Sequence, residues 1–377
     1  MVFVINVIVA QNQSLNTSLF SLFAESLGAK PSEIGVTLLM SGIAATVLMV
    51  PSGILAEKLG RKQVMLVSAA LGAVSVFSYT LATSWQQLIP SAMLFAASFA
   101  LFIPARMTLV ADYSTPANRV AVYSLTNMAW PVGSIYGPVV GGALADAFPG
   151  WKVPFYFMSL TSLLCVFPAL ALKRAPESLR RSDGGHMMKL SQRFNFFRRV
   201  LFLFIVGLFV ELGIMAVDPL MPLYLEKKFD VTKTQIGIFY SVGFGLATLL
   251  SQIPAGFLAD RYGRKKVFLG CVSAIPPLYI LCAWADEYLS LMAFYMLINA
   301  LWSMTWPLSM AILIDAVPTP DRGVAVGMRQ TFLRLGGTVG PLVGGFLWDS
   351  MGQATPFYAS AVFFALAIPG LLLLREK

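Results

Sequence analysis

Five ionisable side chains sit inside long apolar stretches of this sequence: Arg106, Glu211, Asp218, Arg329 and Arg334. A charge in hydrocarbon is costly, so such groups mark proton, ion or solute pathways, or pair with one another. Glu211 and Asp218 are seven residues apart, which places both on nearly one face of a helix. A carboxyl group there is neutral when desolvated and ionised when hydrated or beside an arginine, which suits it to carry a proton. Glu211 is the first candidate for proton coupling, and the competing role is a static partner for Arg334 or Arg329. Asp218 precedes Pro219, so it either serves the same chemistry or satisfies backbone donors freed at a helix break. Arg334 lies about halfway along its stretch and Arg329 nearer one end. Five residues rotate them about 140° apart, so one is expected to bind or gate while the other packs. Arg106 lies six residues before Asp112, about 9 Å along a helix. It faces a substrate or snorkels to the interface.

Uncharged groups add candidates. Asn6, Gln13 and Asn16, at spacings of seven and three, form a polar stripe that could hydrogen-bond a solute. Trp302 and Trp306 are one helical turn apart and supply aromatic walls, a surface for a cation, or simple packing. Cys165, Cys271 and Cys282 form no ligand or redox pattern, and the sole histidine, His186, lies in a polar connection. No metal site or catalytic triad is expected. No glycine loop ending in Gly-Lys-Ser/Thr is present, so the expected function is not enzymatic, needs no cofactor, and draws on a proton or other ion gradient.

The elements that position these residues follow from composition. Hydrophobic residues make up 57% of the chain and charged residues 12%, with a mean hydropathy of +0.74. A soluble domain would carry more charge, so the chain is read as an all-α polytopic membrane protein. Twelve apolar stretches are each long enough to cross about 30 Å of hydrocarbon. They are residues 1–24, 33–56, 63–83, 86–112, 120–147, 152–173, 199–225, 235–259, 266–285, 288–316, 322–348 and 353–374. One long polar connection, Lys173 to Arg199, divides six from six, giving domains 1–173 and 199–377 joined by a basic linker 174–198.

Most of the 27 basic residues fall in loops on one side of this topology, which predicts cytoplasmic termini and a cell-membrane location. The net charge of +9 is then explained by topology and anionic lipid, without nucleic acid. Asn6, Gln11, Asn12, Gln13 and Asn16 interrupt the apolar start, which is read as a first span with a polar face rather than a signal peptide; a start codon placed late would give the same pattern.

One offset relates the two halves. Pro51 and Pro254, Gly53 and Gly256, Asp112 and Asp315, Arg119 and Arg322, Pro138 and Pro341, and Asp146 and Asp349 are all 203 residues apart. Duplication of a six-helix unit is the simplest cause, and it implies two pseudo-symmetric bundles with a solute site near the midplane.

The repeated stretches GILAEKLGRKQ (Gly53 to Gln63) and GFLADRYGRKK (Gly256 to Lys266) carry a resemblance over essentially the whole chain to the major facilitator superfamily. The matching residues are Gly53, Leu55, Ala56, Glu57, Gly60, Arg61 and Lys62, then Gly256, Leu258, Ala259, Asp260, Gly263, Arg264 and Lys265. Gly53 and Gly256 are expected to let helices approach, and Gly60 and Gly263 to form tight turns. The resemblance implies a cytoplasmic latch. Glu57 and Arg61 would meet Asp112 and the helix start near Arg322, and Asp260 and Arg264 would meet Asp315 and the helix start near Arg119. Glu57, for the usual aspartate, lengthens the acid by one methylene and is expected to loosen its latch.

Span 5 carries Gly133, Gly137, Pro138, Gly141 and Gly142, similar to the end of a motif of proton-coupled drug exporters, with Ser124 where a glycine is expected. Span 11 carries the fuller version, from Gly327 through Gly336, Gly340 and Pro341 to Gly344 and Gly345. Such residues let helices touch in lipid, and the prolines bend them. The resemblance also implies that spans 1, 4, 7 and 10 line the cavity. It fails in two places: Ser91, Ala92 and Met93 stand where exporters often have an arginine, and span 1 has no acid. Coupling would then reside in the C-terminal half.

The expectation is a monomeric secondary transporter in membrane lipid. It works by alternating access and exports a small amphipathic organic molecule in exchange for protons. The alternatives are uptake or exchange of an organic anion or other metabolite, and a sensor that moves nothing.

Overall fold

A computed structural model describes residues 1–113, 119–171, 190–318 and 321–373, and these contain no β-strand. The first half forms α1 (Val2–Ser26), α2 (Pro31–Lys58), α3 (Arg61–Tyr79), α4 (Leu88–Asp112), α5 (Arg119–Ala147), α6 (Lys152–Leu164) and α7 (Val166–Leu170). The second forms α8 (Leu190–Val217), α9 (Met221–Phe229), α10 (Lys233–Tyr240), α11 (Ala247–Tyr262), α12 (Arg264–Trp284), α13 (Tyr288–Ala316), α14 (Arg322–Met351) and α15 (Thr355–Leu373). Taken with their short continuations, these are the expected spans in the expected order. His186 and most of the basic linker lie outside the described residues.

Among the described residues, nine stretches are long and apolar enough to cross a membrane. Amides on α1 and the arginines of α14 lower the hydropathy of those two helices. Two spans depart from simple helices. The seventh is broken at Asp218–Leu220 by a 3-10 turn, because Pro219 has no N–H to continue the ladder, and it then extends to Phe229. The eighth passes through a π-helical stretch at Ser241–Leu246.

The chain gathers into two compact units. One holds Met1–Ser182 with Pro222–Ser241, and the other holds Asp183–Met221 with Val242–Lys377. Inside the first, α1 packs on α5, α4 on both α2 and α3, and α3 on α6. Inside the second, α8 packs on α14, α13 on both α11 and α12, and α12 on α15, so the duplication extends to packing.

Small residues explain the tightest pairs. A methyl group added at Gly137 would lie 2.6 Å from the Gln11 carbonyl oxygen, and one at Gly340 would lie 2.9 Å from that of Leu212. In a solvent of lipid tails, such backbone approach supplies the dispersion contact that apolar burial alone cannot. Pro138 and Pro341 lie within these same helices.

Candidate functional site

In the second unit, Glu211 on α8 is 9% exposed and Arg329 on α14 is 4% exposed. Both line one cavity of about 20 Å³, together with Thr305, Trp306 and Ser309 of α13. The Arg329 Nη2 donates to Ser309 Oγ at 2.7 Å, and its guanidinium carbon lies 5.4 Å from the centre of the Trp306 ring. The Arg329 Nη1 is buried with no hydrogen-bond partner. Among the described residues, Glu211 forms no ion pair with Arg329 or Arg334. The charges of Arg329, Arg334 and Asp218 nevertheless act on it. The arginines thus act on Glu211 through space rather than through a direct ion pair.

Arg334 is half-buried, and Arg329 is the arginine that faces the cavity, so the two arginines do diverge. Asp218 sits in the 3-10 turn, where its carboxylate accepts the Tyr295 hydroxyl. Trp302 stacks edge to face on Trp306 at 6.2 Å and its Nε1 has no partner. Arg106 on α4 is half-buried.

The first unit holds an uncharged polar network instead. Asn6 donates to the Thr126 carbonyl at 2.7 Å, which fixes α1 to α5. The Asn12 amide donates to Ser162 Oγ at 2.8 Å and accepts from Thr161 Oγ1 at 2.8 Å, while Gln11 accepts from Tyr136 at 2.7 Å. Gln13 and Asn12 line a cavity of about 40 Å³ with Ser68, Ser98 and Phe102. Asn16 keeps one buried oxygen without a partner. Tyr136 and Ser309 were not singled out in the sequence, and Gln11 and Asn12 were named only as part of the polar face of span 1. The amides of span 1 were the available signal for Gln11 and Asn12.

The two basic turns are alike. Gly60 has φ +97° and Gly263 has φ +88°, a backbone region that a β-carbon disfavours. Arg264 forms an ion pair with Asp315, and Arg61 donates to the Thr108 carbonyl at 3.3 Å. Lys62 reaches the Leu170 carbonyl and Lys265 reaches that of Leu372, contacts that correspond to within one residue between the units. Arg322 donates to the Val317 carbonyl at 3.3 Å, and Asp260 is exposed. The side chains of Glu57, Asp112 and Arg119 lie outside the described part of the structure. Among the described residues a methyl at Gly53 or Gly256 would meet nothing within 4 Å, in contrast to the close approach expected of these glycines. Gly256 lies on an exposed helix face.

A further polar cluster joins α5 to α10 within the first unit. Asp146 Oδ1 accepts the Lys233 N–H at 3.1 Å, and Oδ2 accepts the Thr234 N–H at 2.8 Å and hydroxyl at 2.6 Å. Thr232 and Gln235 close a capping box on the same helix start. Lys227 pairs with Glu25 at 2.5 Å nearby.

Two bundles of repeated helices, with buried charge in one and a polar network in the other, suit a solute pathway. The sequence pattern that defines the Major Facilitator Superfamily matches residues 2–210 and 203–377, and so spans the chain. The chain belongs to the Major Facilitator Superfamily. As a superfamily member it is a transporter in a membrane and not an enzyme. It is 25% identical to the uncharacterized MFS-type transporter MJ1560 of Methanocaldococcus jannaschii, over 92% of this chain and 89% of that protein. It is 24% identical to the quinolone resistance protein NorA of Staphylococcus aureus, over 91% and 88%. A bacterial homologue of the human lysosomal transporter Spinster, in an inward-facing occupied conformation, superposes with a TM-score of 0.83 at 14% identity. That superposition covers 99% of this chain and 95% of the other, and at this identity it speaks for the fold.

Proposed function

We propose that this superfamily member exports small amphipathic organic molecules in exchange for protons. The observation that carries the proposal is Glu211, buried beside Arg329 with no ion pair to hold it. A carboxyl group in such a place is poised to take up a proton when the cavity dries and release it when water or a cation arrives. The similarity to a quinolone resistance protein supports the outward direction. The halves 1–173 and 199–377, joined by the linker 174–198, would exchange accessibility around the solute. The basic turns would close the cytoplasmic side, with both termini there and the chain acting as a monomer. Asp146 and the α10 start, at the opposite end of α5, would hold the outer side.

The test is reconstitution of wild-type protein and Glu211→Gln in liposomes with an imposed pH gradient and a panel of fluorescent amphipathic compounds. Wild-type protein should accumulate a compound against its gradient. The variant should exchange it without accumulation, because no proton is carried with each cycle. Full gradient-driven accumulation by the variant removes Glu211 from coupling.

A further inference from the structure

The cavity between α8, α13 and α14 holds a carboxyl group and a guanidinium that do not touch. Glu211 lines it from α8 and Arg329 from α14, and among the described residues neither forms an ion pair. Each group lacks its ordinary compensation. Arg329 has one Nη on Ser309 and a ring beside it, but its Nη1 is buried with no acceptor. A guanidinium N–H left unbonded in a dry site forfeits one of its strongest interactions. The packing that separates the two groups is visible. Arg329 is held toward α13 by Ser309 and Trp306, while Glu211 stays on α8.

We propose that this cavity is the head-group subsite for a zwitterionic solute, with an anionic group on Arg329 Nη1 and a cationic group on Glu211. The assignment rests on the export reading above and narrows its substrate class. At about 20 Å³ the space holds only about one or two waters, so a head group would enter by displacing them as the helices part, and the solute's apolar body must extend beyond it. Trp306, 39% exposed, offers a surface for that body next to the head group. The arrangement also gives proton exchange a physical route, because the solute's cation and the proton compete for one carboxylate while Arg329 retains the anion. A purely anionic solute would be repelled by ionised Glu211, and a purely cationic one would leave Arg329 unsatisfied.

Equilibrium binding to the detergent-purified full chain tests this without any gradient, so it can fail while proton coupling stands, and the converse. Phenylalanine, its methyl ester and 3-phenylpropionate are one matched set of zwitterion, cation and anion. 4-(Aminomethyl)benzoate, its methyl ester and 4-methylbenzoate are a second set with a wider charge separation. In at least one set the zwitterion should bind about tenfold or more tightly than either analogue, the worth of one charge-assisted hydrogen bond. Arg329→Gln should erase the advantage over the ester, and Glu211→Gln the advantage over the acid. Arg329→Lys should retain part of the first, which separates lost charge from lost folding. If both sets show no zwitterion preference, or show no binding, the subsite assignment is wrong. If the preference survives in Arg329→Gln, it is also wrong.

Discussion

Asp146 offers the sharpest quantitative test of what holds the α10 start to α5. Its carboxylate accepts three hydrogen bonds, two of them from first-turn N–H groups that an α-helix leaves without partners. Capping of this kind is worth about 1 kcal/mol, and a carboxylate near a helix N-terminus adds roughly 0.3–1 kcal/mol. Asp146 is exposed, so solvent screening keeps the total at about 1–2 kcal/mol, or roughly a 5- to 30-fold change in an opening equilibrium. Asp146→Ala should show the whole effect. Asp146→Asn should show most of it, since one oxygen remains but the charge is gone.

Hydrogen exchange of the 229–240 segment, followed by mass spectrometry in lipid nanodiscs, reads this directly. The Lys233 and Thr234 amides should exchange faster by that factor in the variants, while the interior of α5 stays protected. Raising the salt concentration should reduce the wild-type protection only partly, because the hydrogen bonds survive screening. Unchanged exchange in Asp146→Ala would refute the argument that this carboxylate holds the helix start.

Two other substitutions probe the bundles. Asn12→Ala removes the acceptor of Thr161 and the donor to Ser162, leaving buried hydroxyls short of partners at about 1–3 kcal/mol; a lowered melting temperature in detergent is expected, and an unchanged one counts against the network. Gly340→Val should abolish stable expression because the α8 backbone is in the way, whereas Gly256→Ala should melt like wild type because a methyl there meets nothing within 4 Å; fluorescence-detected size exclusion compares the two.

The fold was legible from hydropathy and from one repeated offset, because a membrane span must be apolar over its full length and a duplicated loop keeps its spacing. The basic turns were legible for the same reason: Gly60 and Gly263 need a local conformation that only nearby residues determine. Which arginine enters the cavity was less so. Helical geometry separates Arg329 from Arg334, but the rotation of α14 is set by its packing on α8, which no local pattern encodes. Asp146 appeared in the sequence only as the mate of Asp349, because its hydrogen-bond partners are 87 and 88 residues away. Asn12 was hidden by its setting, since a run of amides shows that a helix face is polar without showing which amides are already bonded.

The chain passes from the second compact unit to the first between Met221 and Pro222 and returns between Ser241 and Val242. The first crossing follows the 3-10 turn at Asp218–Leu220, and the second lies at the π-helical stretch Ser241–Leu246. Both transfers therefore occur where the regular ladder is already relaxed, the places where a helix twists most cheaply. The segment of α9 and α10 is thus bounded on both sides by irregular helical turns. Substitutions confined to the π-helical stretch would change the flexibility of that junction without touching Glu211, Arg329 or Asp146.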